Sequence, residues 1–142
     1  MEIHRIKFRK MKIIKNLVII GVVALLTSCA STAKFPVSST VPAAEITATK
    51  KQDKSNNYVI ELTALNLAEA SRLSPPMNNY SVWIVQENGS TSNVGQLSNK
   101  NAQKAVLKTV TPFNVKEIFI TAEQQGDLAY PAGIEISRTT FN

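Results

Sequence analysis

From Ala44 to Arg138 the chain is a succession of short runs in which apolar and polar residues alternate, and no stretch sustains a helical period long enough to compete. Ala44–Lys50 sets Ile46 and Ala48 against Glu45, Thr47 and Thr49. Tyr58–Leu65 sets Tyr58, Ile60, Leu62 and Ala64 against Glu61 and Thr63, and the polar stretch 51–57 between the two runs suits a hairpin turn. Tyr80–Gln86 is apolar on both faces, which predicts a central strand covered on each side. Glu87-Asn88-Gly89-Ser90 is the strongest turn signal, because Asn-Gly accepts positive φ at low cost. Asn93–Leu97, Ala105–Val110, Val115–Ala122 and Gly133–Arg138 follow, punctuated by Pro112, Gly126 and Pro131. Between them, 66–73 has room for one or two helical turns before Ser74-Pro75-Pro76 stops it.

Seven short strands with frequent turns predict an all-β domain over residues 43–142, an immunoglobulin-like antiparallel β-sandwich. The single cysteine of the chain rules out an internal disulfide, so that domain must be held by its apolar core.

Upstream the chain changes character. Residues 1–16 are basic, and Leu17–Leu26 then runs uncharged and apolar. As a helix those residues would rise about 15 Å, roughly half of a bilayer core. That is short for a membrane span and matches the apolar region of an export signal. Met1 and Met11 are both workable starts, since Met11-Lys12-Ile13-Ile14-Lys15-Asn16 already makes a basic flank.

Leu26-Thr27-Ser28-Cys29 closes the segment and resembles the lipobox of bacterial lipoprotein precursors, in which an aliphatic residue and two small ones precede a cysteine. The resemblance implies cleavage between Ser28 and Cys29 and a diacylglyceryl group on the Cys29 sulfur, since a thiolate is the strong nucleophile that this step needs. It also implies residence in the cell envelope. Ala30 and Ser31 follow in place of an aspartate, which favours the outer membrane, facing the periplasm. From Ala30 to Pro42 small, hydroxylated and proline residues dominate, so 29–42 is expected to be a flexible tether between lipid and domain.

Charge supports the division. The formal net charge of the chain is +6, but residues 1–28 hold six Lys/Arg against Glu2, and the remainder holds ten against nine Asp/Glu. With no basic stripe beyond the signal, nucleic acid is excluded as a partner. His4, the only histidine, lies within the signal, so the domain lacks the usual general base and the usual metal ligands.

A second resemblance begins at Tyr80. Tyr80-Ser81-Val82-Trp83-Ile84, Asn88-Gly89 and Val94-Gly95-Gln96-Leu97, then Thr121-Ala122-Glu123 and Pro131-Ala132-Gly133, are similar to the extracytoplasmic C-terminal domain of anti-sigma-K factors. It implies a related fold and a part in sensing or binding in the envelope. The cytoplasmic helical region and the membrane helix of that family have no counterpart here, so sigma-factor inhibition is not implied.

Among individual side chains, Trp83 and Tyr80 are candidates for a binding surface, against the plainer expectation that both are core aromatics. Glu123 and Asp127 are the carboxyl groups that could pair or hold Ca²⁺, against the plainer expectation of a solvated turn. Lys50, Lys51, Asp53 and Lys54 read as a solvated hairpin end. No residue set calls for a cofactor, a metal or a catalytic centre. The expected function is a lipid-anchored, non-enzymatic binding or accessory module with an envelope protein partner. A structural, self-associating lipoprotein and a hydrolase with an unrecognised site are the alternatives.

Overall fold

A computed structural model describes residues 29–98 and 103–142; residues 1–28, read above as an export signal ending in a cleavage position, lie outside them. Eight strands are described: β1 (Ala30–Lys34), β2 (Glu45–Gln52), β3 (Tyr58–Leu65), β4 (Asn79–Gln86), β5 (Thr91–Leu97), β6 (Lys104–Thr111), β7 (Val115–Glu123) and β8 (Ile134–Thr140). They form two antiparallel sheets of four, β1-β2-β3-β6 and β5-β4-β7-β8. β6 returns beside β3 and β7 beside β4, so the chain crosses between sheets in the Greek-key manner of an immunoglobulin-like sandwich, with β1 added at one edge.

Alternation decides the packing. Ile46, Ile60 and Leu62 from the first sheet meet Val82, Ile84, Ile118 and Ile120 from the second, each at most 3% exposed. The apolar run predicted to be a central strand is β4, paired on both sides by β5 and β7. The expected hairpin is β2–β3, in which the Asp53 side chain accepts the Ser55 and Asn57 N–H groups and Asn56 takes the positive φ of 62°. In the β4–β5 turn Gly89 alone carries the left-handed conformation, at φ 85°, while the Asn88 side chain accepts the Ser90 N–H. A single 3-10 turn, Ala70–Arg72, is the helical piece foreseen in 66–73.

The segment expected to be a tether is instead part of the sandwich. Ala30–Lys34 pairs residue for residue with β2, from Ala30 opposite Lys51 to Lys34 opposite Thr47. Phe35 and Val41 then enter the core at 4% exposure, and Ser38 Oγ accepts the Val41 N–H. Hydroxyl groups secure the second sheet to this segment: Ser137 donates to the Pro36 carbonyl, Thr139 to the Lys34 carbonyl, and Ser31 to the Asn142 carbonyl. The backbone of 30–36 is thus held from both sheets, and its small residues suit a strand confined to the seam between them.

Gly133, the residue before β8, illustrates how closely the chain is folded. A β-carbon there would overlap the Ala122 carbonyl oxygen and press on Glu123 Oε2. Backbone cannot yield as a flexible side chain would, so Gly133→Ala is expected to destabilise by about 1–3 kcal/mol. A fall in the urea midpoint at unchanged slope is the readout, and an unshifted midpoint would contradict this approach.

Candidate functional site

Strand direction sorts the loops into two unlike ends. At one end lie Cys29, the tight turns 53–57, 87–90 and 112–114, and Asn142. At the other lie the long connections 35–44, 66–78 and 124–133, together with the β5–β6 link, of which 99–102 lie outside the described residues.

Neither ring proposed as a binding surface is available to one. Tyr80 is 1% exposed and Trp83 is 0% exposed. They sit on opposite faces of β4, because an odd separation reverses the side-chain direction. Tyr80 faces the main core, and its hydroxyl donates to the Ala68 carbonyl at 2.8 Å. Burial pushes its phenol up to about 12. A tyrosine in the unfolded chain titrates near 10, so the folded protein keeps a proton that the unfolded chain releases. This group's contribution is complete below about pH 10 and is lost as pH rises toward 12. Urea unfolding should therefore show a steeper loss for the wild type than for Tyr80→Phe across that window; parallel curves would refute the assignment.

Trp83 faces away from the main core and forms a second, smaller one on the outer face of its sheet. Phe119 on β7 stacks beside it, with centroids 6.1 Å apart and planes 14° apart. The Arg138 guanidinium of β8 lies 3.9 Å from the Phe119 ring centre and bonds to Glu117 and Glu135. Its hydrogen bond holds the Glu135 carboxyl below its ordinary range. The Trp83 indole N–H donates to Thr121 Oγ1 at 2.8 Å, and the Thr121 hydroxyl donates to Glu123 Oε1 at 2.7 Å. Glu123 Oε1 also accepts the Ala132 N–H. Asn93, directly opposite Trp83 on β5, donates to the Gly126 and Leu128 carbonyls. Loop 124–133 is thereby folded back over this face. Beside Thr121, the Ser81 hydroxyl is buried, with no hydrogen-bond partner among the described residues.

The solvated turn expected for Glu123 and Asp127 holds for Asp127, which is exposed on this loop, but not for Glu123, which is 1% exposed beneath it. Among the described residues no group of three His, Cys, Asp or Glu side chains could hold a metal ion.

Lys50 also departs from expectation. It turns inward at the Cys29 end and donates to Asn114 Oδ1 and the Val115 carbonyl, with its ammonium 5.1 Å from the Phe141 ring centre. Burial lowers its pKa, and Glu87 partly opposes that. Lys51 and Lys54 remain exposed as expected.

The long-loop end carries an open surface. A cleft of about 410 Å³ runs between the 66–78 connection and the ends of β4 and β5, walled by Glu69, Ser71, Met77, Asn78, Asn79 and Gln96. Asn78 donates to the backbone and side-chain oxygens of Gln124, which donates in turn to the Pro76 carbonyl. Those bonds clip loop 66–78 to loop 124–133. Tyr130, at 79% exposure, stands out on the latter. The surface is rich in carboxamide and hydroxyl groups, able to donate and accept without a fixed charge. No signal for it was legible in the sequence, because its parts come from loops far apart in the chain.

The fold and its loop end define an immunoglobulin-like β-sandwich with a polar, pre-organised loop surface. Compared with protein-family models, curated proteins and solved structures, the chain has no significant match.

Proposed function

We propose that this chain is a lipid-anchored envelope lipoprotein whose sandwich is a non-enzymatic binding module, held by lipid on Cys29 at one end and engaging an envelope component with the other. One observation carries the reading: Cys29, exposed at the start of β1, and the long loops lie at opposite ends of the sandwich. An anchored molecule would therefore present its cleft and Tyr130 away from the membrane. The lipobox pattern supports the anchor, and Ala30-Ser31 supports the periplasmic face of the outer membrane.

Two measurements test it. Intact mass of the protein extracted from membranes should show residues 1–28 removed and lipid on position 29. A photo-crosslinker in place of Tyr130 should join one reproducible envelope partner, while the same group at Thr49, on the outer face of the first sheet, should not. Equal capture from both positions would refute a loop-end site.

One observation favours the alternative of a self-associating lipoprotein. Val106 and Val110 of edge strand β6 are 46% and 58% exposed on the outer face of the first sheet. Lys104 and Lys108 alternate with them, a pattern that discourages edge pairing. Light scattering of the domain is expected to report a monomer; a dimer abolished by Val110→Lys would favour self-association.

A further inference from the structure

We propose that the Cys29 end of the sandwich rests directly on the bilayer, with Phe113 set among the lipid headgroups and Lys51, Lys54 and Lys116 facing lipid phosphates. The inference builds on the lipid-anchor reading and adds the orientation that the anchor alone would leave free.

The first support is the missing spacer. Cys29 is followed at once by Ala30, already paired with Lys51, so the anchored α-carbon lies about 3.8 Å from the first residue of the sheet. A flexible tether over 29–42 would have allowed up to about 45 Å of stand-off. A diacylglyceryl group on that sulfur would bring the adjoining strand ends down to headgroup level.

The second support is the shape of that end. Its turns 53–57, 87–90 and 112–114 are all short, so no loop holds the sandwich away from a surface. Phe113 is 52% exposed in the last of them, where its N–H is fixed by Thr111 Oγ1. β6 lies three strand positions from β1, roughly 14 Å at ordinary strand spacing. An aromatic ring that far from the lipid chain supplies a second contact and stops the domain from swivelling on one point.

The third support is charge. The acidic groups at this end serve the fold: Asp53 accepts turn N–H groups, and Glu87 accepts from Asn114 and lies near Lys50. Lys51, Lys54 and Lys116 are exposed, and among the described residues none of them makes an ion pair. Lysines held near an anionic surface are drawn to it, each raising binding roughly fivefold.

All eight described strands follow Cys29, so the mature chain contains the whole sandwich. Its single thiol allows the anchor to be supplied chemically, by adding Cys29 to a maleimide-headgroup lipid in phosphatidylethanolamine vesicles with or without phosphatidylglycerol. Phe113→Trp then serves as the depth probe. Trp83 is fully buried and provides a constant background, measured in the unsubstituted chain. The introduced indole is expected to be quenched by lipids brominated in their upper acyl chain and shielded from aqueous iodide. The shielding should grow with phosphatidylglycerol and shrink when Lys51, Lys54 and Lys116 are replaced by Gln. Equal iodide quenching with and without vesicles, on a chain that co-floats with them and keeps its circular dichroism, would overturn the proposal. Because the anchor is supplied in the test, that result would leave cellular lipidation of Cys29 to be judged by intact mass alone.

Discussion

Trp83→Ala is expected to lower the unfolding free energy by about 3–5 kcal/mol, the range for removing a fully buried large aromatic. The side chain is completely enclosed although it points away from the main core. Its loss would open a void between β4 and the returning loop 124–133, strip the stacked partner from Phe119, and remove the donor to Thr121 Oγ1. A domain of this size has about 5–15 kcal/mol in total, so a large part of the stability would go. Trp83→Phe should cost less, about 1–3 kcal/mol, because it keeps a ring against Phe119 but leaves the Thr121 oxygen without that donor. Urea unfolding followed by circular dichroism measures both, since the fluorophore itself is removed. A loss below about 1 kcal/mol for the alanine variant would mean that the loop does not seal this face.

Cys29→Ser is expected to abolish lipid attachment, with incorporation of an alkyne-labelled fatty acid falling to background. A serine hydroxyl is far less nucleophilic than a thiolate near neutral pH, so it does not take the diacylglyceryl group. Each buried CH₂ contributes about 0.8 kcal/mol, and one acyl chain alone binds only marginally. Two or more chains on Cys29 would make dissociation negligible, and a variant without them would depend on the uncleaved apolar run. Intact mass should then show residues 1–28 retained. Labelling equal to the wild type would place the lipid elsewhere and remove the basis of the proposed anchor.

Some of this molecule was legible locally. Period-two alternation placed Ile46, Ala48, Ile60, Leu62 and Ala64 on the inner face of β2 and β3, where they are buried. The two-sided apolar run of β4 marked it as central, and Asp53 and Gly89 sit in turns that their chemistry favours. Other features were illegible for physical reasons. β1 reads Ala-Ser-Thr-Ala-Lys, with Ala33 its one buried apolar side chain, and its place depends on main-chain pairing with β2 and hydroxyl bonds from β8. Lys50 looked like surface because its acceptors, Asn114 and Val115, are far along the chain. Glu123 looked solvated because the loop that covers it follows it in sequence and returns.

The amino-acid order by itself determined that the domain is all β, where seven of its strands run, and where the basic N-terminal stretch gives way to a nearly neutral remainder. Those properties follow from side-chain period and local composition, which act over a few residues. Only the tertiary structure decided that the residues after Cys29 form an edge strand, that Trp83 anchors a second core, and that the long loops gather at the end away from Cys29. Each of these rests on hydrogen bonds and packing between segments distant in the chain, and nothing within a short window specifies which partner will arrive.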